Sequence, residues 1–289
     1  MPLQQLVEYF NDRLEWEHRT HFRPFFLKQG AVHGLFGPIR IGTHLEPVRE
    51  TLDPERILGY AAGLQVTTAE IPHLQSHELE LILSLPNRRA FGADSIVEFD
   101  RLARTVHMLN FLPHSHEPVF LQLEVDPRHI LGVKKDHGAY FKEVIAKCGL
   151  ETGNIVIALR LSPVYAQYYE ALMVGLENYR KRGYRLALKL DYPALGGSAV
   201  ALISTLSPDW VEVSAKGFAV IEDPNLSQKL QQAQRLAASV GARSVLSDID
   251  DQKIDNLARD VGFEWVAGSY YQTPGSVWKD DSPRLAQVG

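Results

Sequence analysis

Asp209-Trp210-Val211-Glu212-Val213, a helical run, Val245-Leu246-Ser247-Asp248-Ile249-Asp250-Asp251, a second helical run, and then Gly262-Phe263-Glu264-Trp265-Val266-Ala267-Gly268-Ser269-Tyr270 form the stretch that decides the fold. The three short apolar runs read as strands, and the 3.6-residue patterns over Leu226 to Val240 and Gln252 to Val261 read as helices between them. Gly241 and Gly262 each follow a helical run, where glycine most easily takes the left-handed C-cap, and Gly183 does the same upstream. Working outward, further strands are predicted at 38–47, 57–66, 118–125, 154–161 and 184–191, with the three above at 209–214, 243–248 and 264–268. Helical patterns cover Ile96 to Leu112, Ala139 to Cys148 and Val164 to Arg182. Eight short strands, mostly followed by amphipathic helices, predict an α/β fold, a closed TIM-like (β/α)8 barrel. Only Glu50 to Arg56 joins the first two strands. That is too short for a crossover helix, so one strand is expected to run antiparallel.

A chain of 289 residues, 45% apolar and 22% charged, suffices for one such barrel with little left over. The expected organisation is an N-terminal helical extension over 1–37, a barrel over 38–275 and a C-terminal tail over 276–289. The extension is read from Leu3 to Leu14, where apolar residues recur at helical spacing, as a packing or dimerisation helix. A net charge of −5 gives no electrostatic case for a nucleic acid polymer. The basic, aromatic segment with Arg19, Phe22, Arg23, Phe25 and Phe26 is accordingly read as packing against the barrel. The lone Cys148 can form no intramolecular disulfide and reads as a small buried residue. No run of about 18 apolar residues and no signal-peptide pattern occurs, so neither membrane insertion nor export is expected and a cytoplasmic location is.

The same residues resemble the EAL domain, the bacterial cyclic di-GMP phosphodiesterase family. Its closing pattern, D-Y-[LIV]-K-[LIV]-D, a helix, [LIV]-A-E-G-V-E-T, then G-[CF]-x-[YL]-x-Q-G-[YF], is similar to the quoted stretch in its apolar frame. The front agrees. Glu46-Pro47-Val48, a turn and Ile57-Leu58-Gly59-Tyr60-Ala61-Ala62-Gly63-Leu64-Gln65 resemble Q-P-I-x-D, a turn and G-Y-E-A-L-L-R. Phe99-Asp100-Arg101 resembles L-D-R, and Leu123-Glu124-Val125-Asp126-Pro127-Arg128 resembles V-N-L-S-P-R. The resemblance covers residues 40 to 275 and implies an EAL-like barrel.

Its polar positions are largely replaced. The glutamate that names the family falls on Ala61, its arginine on Gln65, its metal-binding asparagine on Glu124 and a further glutamate near Ala158. The loop D-D-F-G-T-G falls on Asp191-Tyr192-Pro193-Ala194-Leu195-Gly196. The lysine falls on Glu212, which turns a positive centre negative. The next glutamates fall on Ser247 and Asp250, the intervening glycine on Asp248 and the glutamine on Ala267. Two-metal phosphodiester hydrolysis needs carboxylates that hold two cations about 3.5–4 Å apart and generate hydroxide. With Ala61, Ala158, Tyr192, Glu212, Ser247 and Ala267 at the family's positions, no catalytic residue is expected.

What remains acidic at the strand ends is Glu124, Asp191, Glu212 and Asp250, the set that would hold Mg²⁺ or Mn²⁺ if a residual metal site existed; otherwise no cofactor is expected. Gln65, Asp191 and Asp250 are the candidate ligand contacts. Asp250-Asp251 also suits a helix N-cap. His114-Ser115-His116 reads as a polar loop, Tyr165, Tyr168, Tyr169 and Tyr179 as helix packing, and Gly196-Gly197-Ser198 as a turn into a helix. The function expected is that of a non-hydrolysing EAL-like regulator that contacts a protein partner, with homodimerisation an option. The rivals are a cyclic di-GMP receptor with altered contacts and a divergent metal-dependent phosphodiesterase.

Overall fold

The computed structural model describes residues 2–18, 21, 23–67, 93–133, 137–194, 197–218 and 223–271. The tail over 276–289, Arg19, Phe22, Leu195 and Gly196 lie outside the described residues.

The order of elements is α1 (Leu3–His18), β1 (Phe25–Lys28), β2 (Ala31–Phe36), β3 (Ile39–Glu50), β4 (Ile57–Thr67), α2 (Ala93–Asn110), β5 (Phe120–Val125), α3 (Pro127–Gly132), α4 (Lys142–Lys147), β6 (Ile155–Leu161), α5 (Tyr169–Lys181), β7 (Arg185–Leu190), α6 (Ser198–Leu206), β8 (Trp210–Ser214), α7 (Leu226–Ser239), β9 (Arg243–Ser247), α8 (Gln252–Val261) and β10 (Trp265–Ala267). Strands β4 to β10 run parallel in chain order, and β3 closes the barrel by pairing antiparallel with both β4 and β10. The eight barrel strands are those expected, including the short hairpin between β3 and β4.

Residues before 38 hold more than the expected helix. After α1 comes a hairpin, β1–β2, whose turn places Gln29 at φ 51 and Gly30 at φ 83. Two consecutive positive φ values give the twist that a two-residue hairpin needs. A second tight turn at Gly37, φ 58, and Pro38 feeds β3, so both strands join the sheet beside the barrel. Helix α1 lays Leu6, Val7, Phe10 and Leu14 into the core. Its buried Asn11 donates to the Phe25 carbonyl at 2.8 Å and accepts from the Phe25 N–H at 2.9 Å, so a side chain supplies the pairing that edge strand β1 lacks.

Alternation along each strand sorts the core into two layers. Leu121, Leu123, Ile157, Leu159, Leu186, Leu188, Val211, Val213 and Leu246 face the helices. Phe120, Val156, Ala158, Ala187, Trp210, Val245 and Ala267 fill the barrel itself. At its floor Phe120 stacks against Trp265 and tilts against Trp210, with ring centroids 5.8 and 4.8 Å apart. Gly59 makes this possible, because a Cβ there would stand 2.4 Å from the Phe120 ring.

Candidate functional site at the barrel mouth

Continuing the inward positions toward the C-terminal ends of the strands replaces apolar side chains with charged ones. Trp210 Nε1 donates to Gln122 Oε1 at 2.8 Å, and Gln122 Nε2 donates to Glu212 Oε2 at 2.6 Å. The other Glu212 oxygen meets Lys189 Nζ at 2.6 Å. Lys189 lies 3.6 Å from Asp248, whose Oδ2 also accepts from Ser214 Oγ at 2.6 Å. One rank outward, Arg160 binds Asp191 at 2.6 Å and Glu124 at 3.1 Å. A polar chain thus climbs from the aromatic floor to Asp248, with the Arg160 group above it as a separate cluster.

Burial alone would raise the Glu212 carboxyl, but the Lys189 ammonium and hydrogen bonds from Lys189, Ser247 and Gln122 hold it below the usual range. Burial likewise opposes the charge on Lys189, and Glu212 followed by Asp248 and Glu124 keeps it above that of an ordinary lysine. Glu46, on β3, makes no such pair. Burial, reinforced by Asp248 and opposed by Lys189, pushes its carboxyl up to about 7.

No protein-family model matches the chain, and no curated protein matches it. Among solved structures, the Bacillus subtilis YkuI protein, with an EAL domain and in complex with substrate c-di-GMP and calcium, aligns at TM-score 0.61 and 18% identity over 82% of this chain and 56% of that one. Klebsiella pneumoniae BlrP1 with calcium and cyclic di-GMP aligns at TM-score 0.64 and 16% identity, covering 85% and 57%. The fold is EAL-like. A standalone EAL protein from Vibrio cholerae O395, in its c-di-GMP bound form, aligns at 0.59 and 13% identity over 79% of this chain and 89% of that one. The chain spans little more than half the length of the first two proteins, and the likeness is one of fold.

The mouth gathers some of the residues singled out from sequence and scatters others. Glu124, Asp191 and Glu212 are there, each held by Arg160 or Lys189. Asp250 is exposed in the loop before α8, where its neighbour Asp251 is the N-cap, accepting from the Ile254 N–H at 2.9 Å. Gln65 is exposed on the ribbon beyond the barrel, at the register of Gly42. Ala158, Ser247 and Ala267 are buried, and Ala61 packs against the interior cluster. The Tyr192 hydroxyl donates to Asp223 and accepts from Lys229 Nζ at 3.0 Å, tying the loop after β7 to the loop before α7.

Lys189 is the direct partner of Glu212 across β7 and β8, so the negative charge of Glu212 is met by a positive one from the neighbouring strand. Glu46 is likewise the partner of Ala61 across β3 and β4. Sequence analysis missed Lys189, Arg160, Glu46 and Gln122 as members of the site. The usable signal was alternation: in Arg185-Leu186-Ala187-Leu188-Lys189-Leu190-Asp191 three leucines face out, so Lys189 must face in.

The donor set does not suit the two divalent ions that the fold family implies. Among the described residues, no group of three or more His, Cys, Asp or Glu side chains could hold a metal ion. The carboxylates that come nearest to such a set already have ammonium or guanidinium partners.

Proposed function

We propose that this chain is an EAL-like barrel that does not hydrolyse cyclic di-GMP and acts as a regulator through contact with another protein. The observation that carries the first half is the lack, among the described residues, of a convergent oxygen-ligand set at the mouth, where Ala61, Ala158, Ser247 and Ala267 offer no carboxylate and Glu124, Asp191 and Glu212 bind the chain's own cations. Two-metal hydrolysis needs those oxygens on metal. Tight dinucleotide binding by the family route is disfavoured as well, since Gln65 cannot make the bidentate phosphate contact of an arginine.

What supports protein contact is apolar surface on the outer helices. Val164, Tyr168, Val174 and Val200 are exposed at 75%, 45%, 58% and 41% on α5, the turn ahead of it and α6, and exposed apolar side chains of this size are what an interaction surface uses. Among the described residues, no helix is long and apolar enough to cross a membrane.

The relocation of a glutamate to Glu46 and a lysine to Lys189 favours the second reading, a divergent metal-dependent phosphodiesterase. A turnover assay with cyclic di-GMP in Mn²⁺ or Mg²⁺, beside calorimetry with the dinucleotide, decides between the two. No hydrolysis and no binding heat support the regulator. Turnover that is lost in Asp191→Ala supports the enzyme, and binding without turnover identifies a receptor.

A further inference from the structure

The mismatch between the fold's implied ions and the residues at the mouth has a specific form. Among the described residues, five carboxylates belong to this region: Glu46, Glu124, Asp191, Glu212 and Asp248. Two side-chain cations rise among them from adjacent parallel strands, Arg160 on β6 and Lys189 on β7, as direct register neighbours. Each serves two carboxylates. Arg160 spans Glu124 and Asp191, and Lys189 spans Glu212 and Asp248. The lysine side chain is 12% exposed and Glu212 only 3%, so this pair is shielded from solvent.

We propose that Lys189 and Arg160 are tethered counter-cations standing in for divalent ions at the barrel mouth, and that their removal converts the same carboxylates into a divalent-cation site. The inference rests on the non-catalytic reading above. Three physical steps lead to it. A buried carboxylate is stable only when paired, and an ammonium at 2.6 Å occupies the lone pairs that a metal would need. An incoming ion would have to displace a cation carried on the barrel wall, whose effective concentration is set by the fold and not by solution. Once that cation is deleted, the carboxylates it served lose their direct ion-pair partner and gain by taking up a proton or a hard cation, for which oxygen ligands are the matched donors.

The test is Mn²⁺ binding to the full-length chain at pH 8, followed by calorimetry and by the loss of free-ion electron paramagnetic resonance signal, with no nucleotide present. The native chain should take up no Mn²⁺ at millimolar concentration. Lys189→Met and Arg160→Met should each bind it at least about tenfold more tightly than the native chain, and Mn²⁺ should raise the melting temperature of the variants alone. Arg160 is 34% exposed, so Arg160→Met keeps the question open to experiment if Lys189→Met fails to fold. Exchanging the pair, Lys189→Glu with Glu212→Lys, should again leave the chain without Mn²⁺ affinity. Folded single variants that bind no Mn²⁺ overturn the inference and leave the non-catalytic reading intact. A native chain that binds Mn²⁺ and cleaves cyclic di-GMP overturns both.

Discussion

Glu46 stands directly opposite Ala61 in the antiparallel β3–β4 ladder, so the acid that the family resemblance expects on one strand is present on its neighbour. Its carboxyl, pushed by burial from 4.5 to about 7, holds a proton over a pH range in which the unfolded chain has released it. The resulting stability is full below about 4.5 and is lost as pH rises through about 7. Glu46→Gln removes this dependence. The variant is expected to match the native protein near pH 4.5 and to exceed it at pH 8 by on the order of 2 kcal/mol, after allowance for partial solvent contact. His107, which burial holds down to about 4, contributes the opposite trend, with stability lost as pH falls from 6.5 through about 4. It is common to both proteins and cancels in the difference. Urea unfolding at several pH values measures the gap, and a gap that does not grow with pH refutes the assignment.

A second prediction concerns the junction of the added hairpin with the barrel. Asn110, at the end of α2, accepts from the Val32 N–H at 2.8 Å and donates to the Val32 carbonyl at 2.8 Å, while also reaching Thr43 Oγ1 at 3.0 Å. It acts as a one-residue strand wedged between β2 and β3. Val32 is fully buried, so Asn110→Ala strands a donor and an acceptor away from water. The expected loss is about 2–4 kcal/mol, with the Val32 amide among those whose hydrogen exchange accelerates most. Unchanged protection at Val32 would contradict it.

The eight barrel strands were legible because each is a short apolar run bounded by turn residues, and alternation carries which side faces in. Strand neighbours were not legible, since nothing in Lys189 or Glu212 taken singly shows that they meet. The ion pairs of the mouth therefore escaped a position-by-position comparison, which registers Ala61 and Glu212 as losses without seeing Glu46 and Lys189 beside them. The β1–β2 hairpin was hidden for another reason. Its strands of four and six residues are too short for a clear period, and the turn dipeptides Gln29-Gly30 and Gly37-Pro38 lack the Asn-Gly or Asp-Gly signature of a two-residue hairpin.

The barrel floor supplies a third prediction. Gly59→Ala places a methyl within 2.4 Å of the Phe120 ring, which must then shift against Trp210 and Trp265. Overpacking of this kind costs about 1–3 kcal/mol. Near-ultraviolet circular dichroism should report the altered tryptophan environment, and Phe120→Leu should restore part of the stability in the Gly59→Ala background while destabilising the native one. Simple additivity of the two changes would exclude a direct clash.

The Lys189–Glu212 pair gives the last. Lys189→Met leaves Glu212 buried with only Gln122 and Ser247 as partners, and removing one member of a buried pair costs about 3–5 kcal/mol. Glu212→Gln is milder, because Lys189 keeps Asp248 at 3.6 Å and the amide can still bond to Gln122. Made together, the two substitutions replace both charges with neutral groups of similar size, so the double variant should lose less than Lys189→Met alone. Urea unfolding of the four proteins closes the cycle, with an expected coupling of about 2 kcal/mol or more between the sites. If the losses simply add, the two residues do not neutralise each other in solution, and the Lys189 charge has no role in holding the mouth together.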